Sequence, residues 1–360
     1  MKRLIAFILA LLLPVTLMSG CAQPASTAAP AETPQATSTP AVSAPTDSPP
    51  PETPPPVRLS VVCTIFPQYD WVRQILGGRA EDFDLTFLLD NRIDLHNYQP
   101  SVDDIVKISA GDLFIYVGGE SDGWAESVLH SAANPDMIVI NLMEILGDDL
   151  KLEELGIEDN TGGHDHGHSH GHDHDGDEEQ EDEYDEHVWL SLRHAQTFCA
   201  VITDALSSLD PANAEEYQSN MAAYVRGLSA LDAEYTAAVD AAPVKTMLFG
   251  DRFPFRYLAD DYGIAYLAAF SGCSAETEAS FETVIFLAEK VNELNLNTVM
   301  VTESSDQAIA KTVIGSTKDK NQQILVLDSL QSVTAGDARG GASYLSVMEK
   351  NLNVLKEALK

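Results

Sequence analysis

Short apolar runs alternate with amphipathic stretches along the chain after residue 57. Continuous apolar runs that are separated by helical patterns are typical of parallel strands covered by helices on both faces. The pattern therefore predicts an α/β fold with two parallel sheets, one in each half of the chain. The predicted strands are LSVVCTIF, LTFLL, DLFIYVG and MIVIN in the first half, and KTMLFG, IAYLAAF, NTVMVT and QILVLD in the second.

One long helical pattern separates the two halves. It runs from Pro211 to about Asp240, with Asp210 in the N-cap position and Pro211 in the first turn. At ~1.5 Å per residue this helix is on the order of 45 Å long. A single rigid helix of that length predicts two Rossmann-like lobes with a cleft between them. Its apolar positions recur every three or four residues: Tyr217, Met221, Tyr224, Val225, Leu228, Leu231 and Tyr235.

The N-terminus has the pattern of an export signal. Two basic residues precede the apolar stretch LIAFILALLLPVTLM, which is short for a membrane span and contains a proline. Small residues then lead directly to Cys21, as in a bacterial lipobox, so that Cys21 is predicted to carry lipid. An ordinary cleaved signal followed by a chance cysteine is the alternative. Residues 22–56 are almost all Ala, Pro, Ser and Thr and predict an extended tether.

The predicted organisation has five segments. These are a lipoprotein signal peptide (1–20), a tether (21–56), an N-terminal α/β lobe (57–210) that contains a disordered His-rich acidic loop (161–184), the linking helix (211–241) and a C-terminal α/β lobe (242–360).

Charge narrows the choice of partners. The 360 residues carry a formal net charge of −35, which makes nucleic acid a poor partner and cations good ones. Part of this charge lies in an acidic stretch that follows a Gly-interleaved histidine run. On a flexible segment such imidazoles can hold metal ions weakly in many arrangements, and a solvated loop without a role in transport is the alternative. The six histidines are His164, His166, His168, His170, His172 and His174.

Metal-capable side chains fall at the ends of several predicted strands, where open α/β sheets bind ligands. His96 follows the second strand, and Asp251, Glu303 and Asp328 each stand at a strand end in the second half. His187 precedes a helix, just after the His-rich loop. Each has a structural alternative, because loop histidines often make only hydrogen bonds and strand-end carboxylates often cap helices.

Three further cysteines, Cys63, Cys199 and Cys273, leave at least one thiol unpaired within the chain. The favoured interpretation is that they are small core residues.

Several segments resemble the zinc- and manganese-binding lipoproteins of ABC uptake systems. The most specific are LHNYQPS and YDEHVWLSLRHAQ, and the similarity extends from Leu59 to the C-terminus. The resemblance implies one metal ion between two lobes, held by His96, His187 and Asp328. It also places Arg252 where a family ligand would coordinate, and a guanidinium cannot bind a metal ion. Asp251 is the expected substitute, with Glu303 behind it.

The metal expected from the resemblance is Zn(II), because a long His-rich insertion is similar to that of the zinc members. Imidazole nitrogens also favour Zn(II) over Mn(II), which stays the alternative metal. The predicted function is capture of the ion on the outer face of the cell membrane by a lipid-anchored, monomeric protein that delivers it to an ABC permease. No nucleophile–base pair, HExxH motif or phosphate loop in the sequence argues for an enzyme. A surface adhesin or structural lipoprotein with a stabilising metal, and a metal buffer without a permease, are the other candidates.

Overall fold

The computed structural model describes residues 58–154, 183–274 and 278–360. The predicted signal peptide, Cys21, the tether and the histidines His164 to His174 lie outside these ranges. The described residues all belong to one unit, Pro56–Lys360.

Eight strands of the described residues form two four-stranded sheets, and every pairing in them is parallel. The first sheet has the order β2-β1-β3-β4 and the second β6-β5-β7-β8. Each strand overlaps one of the apolar runs, and the predicted two-sheet α/β fold is confirmed. The strands are β1 (Ser60–Cys63), β2 (Asp84–Phe87), β3 (Leu113–Tyr116), β4 (Ile138–Asn141), β5 (Thr246–Phe253), β6 (Ala265–Ser271), β7 (Thr298–Thr302) and β8 (Gln323–Leu327).

Eleven α-helices connect and cover these strands in the part of the chain that the structure describes. Several begin at a serine whose hydroxyl accepts a backbone N–H of the first turn, as Ser101, Ser191, Ser280 and Ser343 do. The helices are α1 (Phe66–Leu76), α2 (Val102–Ser109), α3 (Trp124–His130), α4 (Leu142–Leu146), α5 (Leu192–Leu209), α6 (Ala214–Ala241), α7 (Arg256–Tyr262), α8 (Phe281–Glu293), α9 (Ala308–Ser316), α10 (Ala335–Arg339) and α11 (Tyr344–Ala358).

The linking helix is α6, whose 28 residues follow a 3-10 turn at Pro211–Asn213. It packs against α5 and α1 of the first lobe and against α11 of the second. The Tyr235 hydroxyl donates to the carbonyl of Met348 on α11 at 2.7 Å, and Asn220 donates to the carbonyl of Ile75 on α1 at 3.0 Å. Its apolar side therefore holds both lobes along one rigid element.

A β-bulge interrupts β5 near its carboxyl end. Phe249 pairs with Ala268 and Arg252 pairs with Phe270, so that β5 carries one more residue than β6 over this stretch. The extra residue changes which side of the strand the following side chains leave from. This matters for the site because the irregular stretch includes Asp251 and ends at Arg252.

Within the described ranges, no helix combines the length and apolar character that crossing a membrane requires.

Candidate metal centre

His96 lies in a short 3-10 turn, Leu95–Asn97, that follows β2. The carboxylate of Asp94 caps this turn by accepting the backbone N–H of His96 at 3.1 Å. The His96 ring places Nδ1 2.7 Å from the hydroxyl of Ser121 and 3.4 Å from Oε2 of Glu186. A carboxylate only accepts, so that this contact favours the proton on Nδ1 and leaves Nε2 free to bind a cation.

His187 is completely buried, immediately before the 3-10 turn Val188–Leu190 that leads into α5. One oxygen of Asp185 accepts both the backbone N–H of His187 at 2.8 Å and its ring Nδ1–H at 3.0 Å. This is the arrangement in which a carboxylate fixes the orientation and tautomer of a metal-binding imidazole. Nε2 of His187 is therefore the nitrogen that faces the centre.

The two free nitrogens converge. Nε2 of His96 and Nε2 of His187 lie 3.2 Å apart, with the ring centroids 5.1 Å apart in an edge-to-face arrangement. For a tetrahedral zinc ion with Zn–N bonds of about 2.05 Å, two ligand nitrogens are separated by about 3.3 Å. The histidine pair therefore already has the spacing that zinc requires.

The surroundings of the pair are strongly acidic. Burial works to lower the pKa of His187, but Asp185, Glu186 and Asp94 outweigh it and raise that pKa above its usual value. Burial also works to raise the pKa of Glu186, yet hydrogen bonds from His96 and Ser121 hold it below its usual range. The site is thus built to hold a positive charge, which in the metal-free protein can be one proton shared between the two Nε2 atoms.

A third potential ligand comes from the second lobe. His96, His187 and Cys273 are the one set of three His, Cys, Asp or Glu residues, among those described, whose ligand atoms lie within 4.8 Å of one another. Cys273 follows β6, and its thiol is free and half-buried. Because the two histidines belong to the first lobe, this set spans the two lobes.

Arg252 is also next to the pair, but it is engaged with an anion. Its Nη2 lies 2.7 Å from Oδ2 of Asp94, the residue that caps the His96 turn. Burial works to raise the pKa of Asp94, and Arg252 together with His96 holds it below its usual range. Beside this ion pair a cleft of about 310 Å³ opens between the lobes. Its lining includes Asn97 from the first lobe and Asp251, Arg252, Phe270, Ser304 and Asp306 from the second.

With this geometry established, the comparisons with known proteins identify the family. The family described as "ZnuA: Zinc-uptake complex component A periplasmic" matches residues 61–358. The chain belongs to this family. The match covers both lobes and the linking helix, and it confirms the resemblance that the sequence motifs indicate.

Relatives of the ZnuA family share the whole two-lobe region. Zinc-binding lipoprotein AdcA of Streptococcus pneumoniae serotype 4 is 33% identical over 300 residues, which cover 83% of this chain and 56% of the relative. High-affinity zinc uptake system protein ZnuA of Bacillus subtilis strain 168 is 29% identical over 302 residues, covering 84% and 88% respectively. The chain spans little more than half the length of the streptococcal AdcA proteins that it matches.

A solved structure supports the same conclusion. The crystal structure of the Zn(II)-bound ZnuA-like domain of Streptococcus pneumoniae AdcA is 28% identical and superposes with a TM-score of 0.63. The match covers 84% of this chain and 99% of that domain. The two lobes of this chain are thus equivalent to one complete ZnuA-like domain.

Of the expected ZnuA-type ligands, the structure brings His96 and His187 together but not Asp328. Asp328 accepts the backbone N–H of Leu330 at 2.8 Å. Its own N–H and C=O are both bonded to the side chain of Asn351 on α11. The side chain that turns toward the His96 segment is instead Gln331, whose Oε1 accepts the N–H of Leu95 at 3.4 Å. Asp328 therefore lies outside the three-residue set, and its role as a ligand stays a prediction.

Asp251 and Glu303, the expected substitutes at the third position, are also held elsewhere. Within the bulge in β5, Oδ2 of Asp251 accepts both the N–H and the hydroxyl of Thr302 on β7. The two oxygens of Glu303 accept the N–H and the hydroxyl of Ser329. Both carboxylates thus connect neighbouring strand ends in the second sheet, and neither joins the histidine pair.

The interpretation of the cysteines as core residues holds for two of the three. Cys63 and Cys199 are buried in the core, exposed by 1% and 0%. Cys273 is different, because it follows a strand end and meets the histidines. The sequence signal for Cys273 is its position three residues past the apolar run IAYLAAF, near a strand end like the other candidate ligands.

Proposed function

We propose that this chain captures a divalent metal ion, Zn(II) in the first place, outside the cytoplasm and delivers it to an ABC permease. The observation that carries this proposal is the histidine pair, with two Nε2 atoms 3.2 Å apart and each Nδ1 directed at a hydrogen-bonding partner. Membership of a zinc-uptake family supports it, as do relatives whose names describe zinc-binding and zinc uptake. These names favour capture over a surface adhesin and over a purely structural metal.

Zinc is proposed over manganese on the chemistry of the ligands. Imidazole nitrogen and thiol sulfur suit Zn(II), whereas Mn(II) prefers carboxylate, carbonyl and water oxygen. The carboxylates nearest to the pair, Asp185 and Glu186, are directed at Nδ1 atoms and hydrogen-bond donors. They orient the imidazoles and lend negative charge to the site.

The proposed mechanism is binding and release without a catalytic step. The zinc ion is the cargo, and the residues of this chain bind it, orient its ligands and balance its charge. A neutral imidazole is the form that binds metal, so that capture must release any proton that the pair holds. The two lobes are held along α6, and Asn97, the residue that follows His96, lines the cleft between them.

The proposal includes attachment and domain organisation. We propose a lipid anchor at Cys21, a tether over residues 21–56, a monomeric protein on the outer face of the membrane, and lobes divided at residues 57–210, 211–241 and 242–360. The histidines from His164 to His174 are proposed as an auxiliary, weak metal-binding segment.

Alanine substitution of each histidine tests the proposal. His96→Ala and His187→Ala in the full-length protein should each weaken zinc binding more than tenfold, which is more than about 1.4 kcal/mol. His130→Ala, at an exposed position at the end of α3, is the matched control and should bind as the unchanged protein does. Competition titration with a chelating dye of known zinc affinity gives the dissociation constants.

Two results would contradict the proposal. Equal zinc affinity of His96→Ala, His187→Ala and His130→Ala would exclude the pair as the binding site. Unfolding of the unchanged protein when a chelator removes zinc, followed by circular dichroism, would instead indicate a structural metal.

A further inference from the structure

We propose that the thiolate of Cys273 is the third protein ligand of the zinc ion, so that the site is a His2Cys centre. This inference rests on the proposed function, because it assigns a ligand of that same site. It replaces the carboxylates Asp251 and Asp328, which the structure holds at other partners.

The distances fit this assignment. The sulfur and one nitrogen of each histidine lie within 4.8 Å of one another. For a tetrahedral zinc ion with bonds of about 2.3 Å to sulfur and 2.05 Å to nitrogen, the sulfur–nitrogen separation is about 3.6 Å. Closing the set around an ion therefore needs a movement of at most about 1.2 Å, well within the reach of a loop side chain.

The backbone of the Cys273 loop is fitted closely against the His187 segment. A Cβ added to Gly272 would lie 3.0 Å from Oδ2 of Asp185 and 3.1 Å from Cε1 of the His187 ring. A side chain at this position would push these neighbours apart by a few tenths of an ångström. The N–H of Cys273 also donates to the carboxylate of Glu153, which belongs to the first lobe. The loop is thus fixed at Gly272 and at the backbone N–H of Cys273, and the thiol stays beside the imidazoles.

The position of the thiol also separates it from the other cysteines. Cys63 and Cys199 are enclosed in the core, whereas Cys273 is half-buried at the meeting point of the lobes. A sulfur that is accessible there can be reached by an incoming ion. When zinc binds, the Zn–S bond replaces the S–H bond and the proton leaves to solvent, so that charge and atoms balance.

A sulfur ligand has a consequence for metal choice. Thiolate binds Zn(II) far better than Mn(II), which prefers oxygen donors. Because the nearest carboxylates are used as hydrogen-bond acceptors, Cys273 would be the residue that sets the preference for zinc. Its negative charge also offsets that of the ion in a site where Arg252 is already paired with Asp94.

Cobalt substitution tests the sulfur ligand directly. The full-length protein, kept reduced and loaded with one equivalent of Co(II), should show a near-ultraviolet sulfur-to-cobalt charge-transfer band. Cys273→Ser should abolish the band, weaken zinc binding at least tenfold and narrow the ratio of zinc to manganese affinity. Cys199→Ala, which removes a core thiol, is the matched control and should keep the band.

The outcomes separate this inference from the proposed function. Zinc binding that depends on His96 and His187, with no charge-transfer band in the cobalt protein, would overturn the assignment of Cys273 and leave the proposed function standing. A band that persists in Cys273→Ser, with zinc affinity unchanged, would also overturn it. Failure of the unchanged protein to bind zinc at all would instead overturn the proposed function. Circular dichroism of each variant shows that the comparison is made between folded proteins.

Discussion

Asp328→Asn is expected to stabilise the protein above pH 6 while leaving zinc affinity unchanged. The carboxyl group of Asp328 is largely buried, and burial together with the nearby charge of Glu303 raises its pKa from 3.8 to about 6. In the folded protein the ionised form is therefore disfavoured. The amide of asparagine keeps an oxygen for the N–H of Leu330, which Asp328 accepts at 2.8 Å, and it removes the buried charge.

The stability gained by Asp328→Asn follows from the size of the pKa shift of Asp328. A rise from 3.8 to about 6 is about two pKa units, and each unit corresponds to about 1.4 kcal/mol. A raised carboxyl pKa contributes stability that is present below the unfolded value and is lost as the pH rises through the folded value. At pH 8 the ionised group thus costs the folded state about 2–3 kcal/mol, which Asp328→Asn should recover. The gain should vanish toward pH 4.

Urea unfolding of the metal-free protein measures the gain. The midpoint should rise by on the order of 1 M at pH 8, and the two proteins should become equal as the pH falls to 4. Asp319→Asn removes an exposed carboxylate and serves as the charge-matched control, with little change in the midpoint.

Zinc titration of the same variant tests whether Asp328 is a zinc ligand. Because Asp328 lies outside the set of His96, His187 and Cys273, the affinity of Asp328→Asn should stay within about twofold of the unchanged protein. A tenfold loss, about 1.4 kcal/mol, would show that Asp328 is a ligand and would refute the expectation that its side chain stays bonded to Leu330.

Three further predictions concern the proton, the anchor and the His-rich segment. Zinc binding should weaken as the pH falls from 8 to 6, because neighbouring carboxylates raise the pKa of His187 and protonated imidazole does not bind zinc. Asp185→Ala should shift this pH dependence to lower pH and weaken zinc binding at pH 8 by about tenfold. A pH dependence that is the same in Asp185→Ala would count against the role of Asp185. Cys21→Ser should release the protein from membranes into the soluble fraction on immunoblots, and equal membrane retention would disprove the anchor. Deletion of residues 163–177 should keep one tight zinc equivalent and remove weaker ones in calorimetry, because fixing Gly-interleaved ligands costs conformational entropy; loss of the tight equivalent would place a ligand in that segment.

The strands and the histidine pair were predictable because their signals are local. Each strand is a continuous apolar run, and a side chain just past the carboxyl end of a parallel strand faces the ligand-binding edge of the sheet. His96 follows that rule, and the specific motif around His187 indicated the second member of the pair. The motifs also indicated the two-lobe family without any knowledge of side-chain directions.

The side-chain directions of the candidate carboxylates were not predictable from local patterns, because contacts with distant residues determine them. Asn351, 23 residues away in the chain, holds the backbone of Asp328. One extra residue in β5 changes the alternation before Arg252, and Oδ2 of Asp251 accepts the hydroxyl of Thr302 at the wall of the cleft. Neither the bulge nor the asparagine contact leaves a mark in the hydrophobic pattern.

Arg252 shows how the site tolerates a cation at a position where the family resemblance expects a ligand. The guanidinium joins the second lobe to Asp94 of the first at 2.7 Å, with both side chains mostly buried. The same carboxylate caps the His96 turn, and its other oxygen lies 4.0 Å from Nε2 of His96. Asp94 therefore both neutralises Arg252 and orients His96. The neutralisation matters because an unpaired guanidinium this close to the histidines would repel an incoming metal ion. This ion pair also links the two lobes before the metal ion binds. Metal capture therefore needs less movement of the lobes and depends mainly on bringing the three ligands around the ion.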